Sequence, residues 1–142
     1  MTSPINLDDP GQGGLWIATP ADLDALNAAA HARGLLVRRA SLLGCADKGD
    51  LLRRVAAMLD FPATFGHNWD GLADCLADLA WLPTASGYAW LLDHAGSLYA
   101  ASGGDFDTLC DVLRHACGHW RARGVACYAC IAFGGAIATR PG

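Results

Sequence analysis

The sequence contains no glutamate, so every acidic residue is an aspartate. Between Arg54 and Arg114 there is no lysine or arginine either, yet eight aspartates fall in that stretch: Asp60, Asp70, Asp74, Asp78, Asp93, Asp105, Asp107 and Asp111. The stretch carries formal charge −8 and the rest of the chain +4, so the overall −4 conceals a strongly polarised distribution. A field of that sign repels phosphates, which argues against nucleic-acid binding and for a cationic partner. No apolar run reaches the ~20 residues needed to span a bilayer, and no membrane association is expected. The start, MTSPINLDDPGQGG, has neither the basic nor the apolar segment of a secretory signal, which predicts a cytoplasmic protein.

Catalytic signatures are missing too. There is no glycine-rich phosphate loop of either standard pattern, and GGAIATRPG near the end fits neither. No GxSxG nucleophile turn occurs. His115 and His119 stand four residues apart on a predicted helix, without the glutamate of an HExxH motif. Cys127 and Cys130 form a CxxC, but they lie in VACYACIAF, a strand in which the two thiols point to opposite faces. No second pair of cysteines or histidines follows them. In a reducing compartment the six cysteines read as small buried hydrophobes, and no metal or cofactor is expected. An enzyme reading is left with His67 beside Asp70 and Asp74 as a general acid/base site, or with the three carboxylates Asp70, Asp74 and Asp78 as a divalent-metal site, in a small hydrolase. Carboxylates along one helix face diverge, so such a metal would need ligands from other elements.

At 142 residues and 53% hydrophobic content, the chain suits one domain spanning 1–142 with its own core. Residues 1–14 read as a loose arm rich in Pro, Gly and Asp. LWIA (15–18) is a strand. Thr19-Pro20-Ala21-Asp22 places a cap, a first-turn proline and a capping acid at the head of a helix running to about Arg33, where Gly34 stops it. LLVRRASL (35–42) is the next strand, and LLRRVAAMLDF a helix that Pro62 must end.

A tight segment, ATFGHN, then leads to a helix over 69–81. Its apolar residues Trp69, Leu72, Leu76 and Leu79 share an arc, with Asp70, Asp74 and Asp78 opposite and Asn68 as cap. Like charges at this spacing cost a few tenths of a kcal/mol per pair, which fits a face presented to something, although a merely solvated helix face is the blander explanation. GYAWLLDHA (87–95) reads as a strand buried on both faces, 105–123 as a long helix, 125–133 as the last strand, and the remainder as a frayed tail. Strands alternating with helices predict an α/β fold: a small parallel sheet of about four strands in a two- or three-layer sandwich.

The run Phe61-Pro62-Ala63-Thr64-Phe65-Gly66-His67-Asn68-Trp69-Asp70-Gly71-Leu72-Ala73-Asp74-Cys75-Leu76 resembles the barstar family of ribonuclease inhibitors in residue type and spacing. The resemblance extends over about residues 35–133, and the order of elements agrees. Residues 15–34 look like a strand and helix added ahead of that unit.

The resemblance implies an immunity-type inhibitor, not an enzyme, that plugs the active site of a small basic ribonuclease in a one-to-one complex. Asp74 would stand in for the substrate phosphate, and Asp70 would meet cations at the rim. Asn68 would fix the loop and hydrogen-bond the enzyme, with Phe65 and Gly66 shaping that loop. Thr64 occupies a position where the family usually has an aromatic, and Ala73 stands where the inhibitor has a large aromatic. Asp78 adds a carboxylate. His119 and Arg123 stand where the family offers acids. These departures imply a different target nuclease, and the alternative to the inhibitor is an acidic docking module for a non-nuclease protein.

Some residues admit two readings. Trp69, Trp81 and Trp90 are core candidates, whereas Trp16 and Trp120 could sit at a dimer surface. Phe65 divides between loop packing and partner contact, and His67 between solvent and a partner's anionic rim. Asp93, at the C-terminal end of a buried strand, reads as a local cap or pair.

Overall fold

The computed structural model describes residue 7 and residues 9–134. The expected tail beyond Gly134 and most of the first eight residues lie outside the described residues. Four strands form one all-parallel sheet: β1 (Gly14–Ala18), β2 (Leu36–Ser41), β3 (Gly87–Asp93) and β4 (Ala126–Ala132), in the order β1-β4-β3-β2. The helices are α1 (Pro20–Ala32), α2 (Lys48–Met58), α3 (Trp69–Leu76), α4 (Gly96–Ala101) and α5 (Gly103–Arg121). The sheet divides two cores. One packs residues of α2, α3 and α5 against one face, and the other packs α1 against the opposite face. The fold is therefore a three-layer α/β sandwich.

Local chemistry explains the element ends. Thr19 and Asp22 form the capping box at the head of α1, each side chain bonding the other's backbone N–H. Gly34, at φ +75°, supplies the left-handed turn that ends α1. The α2 helix begins three residues earlier than the apolar pattern suggested, because the Asp47 carboxylate caps it through Asp50 N at 2.8 Å. It ends before Pro62 with Asp60 in the left-handed region (φ +53°) and the Phe61 N–H bonded to Ala56 O. Both central strands are sealed: every residue of β4 is buried, and β3 is buried along most of its length. Cys127 and Cys130 face different cores, as the strand period requires.

Two expectations need correction. The helix expected over 69–81 stops at Leu76. The apolar arc continues to Leu79, which is buried, but Leu79 takes φ +55° so that the chain can turn away toward β3. The turn is held from outside, since the Trp81 indole N–H donates to Leu59 O at 2.9 Å. The segment between β3 and the long helix also holds a short helix, α4, which was not anticipated. Its buried positions are few and its cap carries no side-chain hydrogen bond, so neither a pattern nor a cap announces it in the sequence.

The chain just ahead of β1 is tied to the rest of the fold. The Arg121 guanidinium donates to Gly13 O at 2.7 Å, the Tyr128 hydroxyl donates to Asp9 O at 3.0 Å, and Leu7 is buried. Trp16 and Trp120 are half-buried. Their indole N–H groups are bound to Gln12 O and Leu76 O, at 3.1 and 2.8 Å.

Candidate functional site: an acidic helix and its leading loop

The loop between α2 and α3 is built on aromatic packing. Phe65 is buried, edge-on to Phe61 at a centroid distance of 4.9 Å, and Phe61 meets Trp81 edge-on at 5.9 Å. The loop-packing reading of Phe65 is the one the fold adopts. A turn with Phe65 N–H on Pro62 O at 2.9 Å reverses the chain and leaves Thr64, Gly66, His67 and Asn68 exposed. His67 sits at φ +53° with its ring 4.7 Å from that of Phe65. Asn68 then caps α3, its Oδ1 accepting from Gly71 N at 2.6 Å, while its Nδ2 donates to Gly66 O at 3.5 Å. Gly71 sits in a tight place: a Cβ would stand 3.0 Å from Asn68 Oδ1 and 3.3 Å from the Phe65 ring, so those side chains would have to give by a few tenths of an ångström.

On α3, Asp70 and Asp74 are exposed and one turn apart, with half-buried Ala73 between them. Asp78 lies past the end of the helix, where its carboxylate accepts from Ala80 N at 3.3 Å. The stripe of three is therefore a pair plus a turn residue. The Cys75 thiol is pushed above its ordinary value, mainly by burial and further by Asp78 and Asp74, so these carboxylates set a negative potential at the helix.

The remaining aspartates of the arginine-free stretch separate by pairing. Asp60 is 2.8 Å from Arg38, which also donates to Met58 O at the end of α2. Asp93 joins Asp24 on the fork of Arg39, at 2.8 and 2.7 Å, and it accepts from His94 N as well. The Arg39 pKa is raised by these hydrogen bonds, to Asp93 first. Asp111 pairs with Arg114 at 3.0 Å, and Asp105 accepts from the Ser102 hydroxyl at 2.7 Å. Among the described residues, the carboxylates of Asp70, Asp74 and Asp107 alone of the eight make neither a hydrogen bond nor an ion pair.

A cleft of about 380 Å³ adjoins the loop, walled by Ala56, Ala57, Asp60, Phe61, Phe65 and His67. The end of α2 was not singled out from the sequence as part of this region. The proline after it was the available signal, because it forces the chain back across the helix end. On the other side, α3 packs on α5 through Leu76 and Trp120. His119, near the end of α5, lies against Trp120, and Arg123, just past the helix, donates from its guanidinium to His119 O at 2.9 Å.

This geometry defines a class: an α/β protein that holds, on a capped helix behind an aromatic-anchored loop, two carboxylates without a partner among the described residues. Residues 35–132 match the family model described as Barstar (barnase inhibitor), and the chain belongs to that family. The matched segment starts just before β2 and ends with β4, so β1 and α1 lie ahead of it. No curated protein matches the chain in a sequence comparison.

Proposed function

We propose that this protein inhibits a small basic ribonuclease, one to one, and protects the cell that makes that enzyme. In this reading α3 and the loop before it enter the nuclease cleft. Asp74 occupies the place of a substrate phosphate among the enzyme's cations, and Asp70 meets cations at the rim. Asn68 and Gly66 present polar backbone and side-chain groups, while Thr64, His67, Ala73 and Asp78 line the periphery.

The observation that carries the reading is the contrast among aspartates. Asp60, Asp93 and Asp111 are neutralised by arginines of the same chain, whereas Asp70 and Asp74 are exposed side by side with no internal partner among the described residues. Family membership supplies the class of partner. Asn68 and Phe65 hold the loop in place before any partner arrives, which lowers the ordering cost of association. Where the family's aromatics are replaced by Thr64 and Ala73, contact area is smaller and the target differs.

The test is inhibition of purified basic ribonucleases from the producing organism, together with rescue of cells by co-expression. Stoichiometric inhibition of one of them is the expected result. Failure against every such enzyme encoded near this gene would remove the proposal.

A further inference from the structure

The two edges of the sheet are finished differently. At β2, Arg38 and Arg39 supply the charge that discourages strand addition, and both are engaged in ion pairs beside the strand. At β1 the sequence Gly-Leu-Trp-Ile-Ala carries no charge and no proline, and among the described residues no strand pairs with its outer side. Every residue of β1 is at least partly exposed, and Ile17 is 55% exposed. Beside this edge lies an open groove of about 400 Å³, lined by Leu15, Ile17, Phe106, Cys110 and Phe133 and flanked by Asp107, Asp111 and Arg114.

We infer that this edge is a dimer interface, and that its occupant is a second copy of this chain related by a twofold axis. Three features select that occupant. First, the groove carries an acid and a base that can pair across a twofold axis. Asp107 has no partner among the described residues, and Arg114 is seven residues further along the same flank of α5. A twofold axis near Cys110 sets Asp107 of each copy opposite Arg114 of the other. The arginine fork can serve a second carboxylate besides its own Asp111, as Arg39 does here with Asp24 and Asp93.

Second, the two halves of the groove share one centre. On α5 the lining positions run from Phe106 to Arg114 about Cys110, and on β1 they are Leu15 and Ile17 about Trp16. Antiparallel pairing about Trp16 places Leu15 opposite Ile17 of the second copy, on the same face as the groove.

Third, the spacing closes. Strands pair about 4.8 Å apart, and α5 covers both β4 and β1, so two such helices fall roughly 10 Å apart, the ordinary distance for packed helices. The result is a continuous eight-stranded sheet. The groove lies on the flank of α5 away from α3, so the dimer leaves both acidic helices free and does not depend on the inhibitor reading.

Sedimentation velocity of the full chain should show a dimer at about 100 μM. Ile17→Arg, at an exposed position, should give a monomer with unchanged far-ultraviolet circular dichroism. Asp107→Arg alone and Arg114→Asp alone should each weaken dimerisation by roughly tenfold, and the two together should recover most of it. A wild-type monomer throughout the concentration range, whether its edge is bare or covered by the chain's own ends, overturns the inference. So does a dimer indifferent to Ile17→Arg, or a double exchange no tighter than either single one.

Discussion

Asp60 and Asp74 are the same residue type in the same arginine-free stretch, and composition cannot rank them. Their surroundings can. Asp60 lies on Arg38 at 2.8 Å, and Asp74 projects from α3 with no partner among the described residues. A carboxylate already satisfied has little to offer a second cation, whereas an unsatisfied one held on a rigid helix gains the full charge-assisted hydrogen bond when a partner closes on it. Asp74→Ala is therefore expected to weaken binding of the cognate ribonuclease by more than ~2 kcal/mol, measured by calorimetry. The thermal midpoint should stay the same or rise, because the removed charge repels Asp70 one turn away. Equal affinity for both proteins would show that the anchor is elsewhere. Phe65 presents the opposite lesson. Its burial against Phe61, with His67 leaning on its outer side, makes it a support for the exposed residues beside it.

At the scale of elements, α3 is short and depends on its ends. Eight residues do not sustain a helix in water, so the cap from Asn68 and the burial of Leu72 and Leu76 carry it. Asn68→Ala should cost about 1 kcal/mol of stability in denaturant unfolding, and Asn68→Asp should restore most of it, since either side chain can accept from Gly71 N. Were the alanine variant as stable as the parent, the cap would be idle. The caps of α1 and α2 obey the same chemistry, but only that of α1 stood out beforehand, because Thr19-Pro20-Ala21-Asp22 spells the whole capping box while Asp47 is one acid in a polar loop. The end of α3 was not legible at all. Leu79 keeps the helical phase of burial, and what breaks the helix is the reach of Trp81 to Leu59 O, a contact across 22 residues.

At the scale of the whole molecule, two consequences follow from how charge and thiols are distributed. The negative field around α3 should steer a basic enzyme, so the association rate should fall steeply with added salt while dissociation changes little. Barstar, of this same family, meets barnase by such steering, for which rates reach ~10⁸–10⁹ M⁻¹s⁻¹ at low salt. An association rate flat in salt would argue for a non-electrostatic partner.

The second consequence concerns alkaline pH. Burial pushes the Cys130 thiol up to about 12, and burial with the neighbouring Cys117 pushes Cys127 the same way. A thiol whose pKa is higher when folded holds its proton longer in the native state than in the unfolded one. Stability is therefore fully present below the unfolded value of 9.0 and declines as pH rises toward about 12. For Cys130 alone the loss across that window is on the order of 4 kcal/mol. Urea midpoints taken at increasing pH should fall over this range, and Cys130→Ala should flatten the fall. An unchanged slope in that variant would place the alkaline transition elsewhere.

What depends on near neighbours can be read along the chain: strand and helix periods, the capping box of α1, the opposed facing of Cys127 and Cys130, and the motif around Asn68 and Asp74. These are set by backbone geometry and by contacts within a few residues. Tertiary packing settles which aspartates are paired, where α3 ends, and that among the described residues no strand covers the outer side of β1, opposite the arginine-guarded edge at β2. Each of those depends on a partner far away in the chain, such as Arg38 for Asp60, Leu59 for Trp81 and β4 for β1, and strand order brings such partners together without leaving a trace in local pattern.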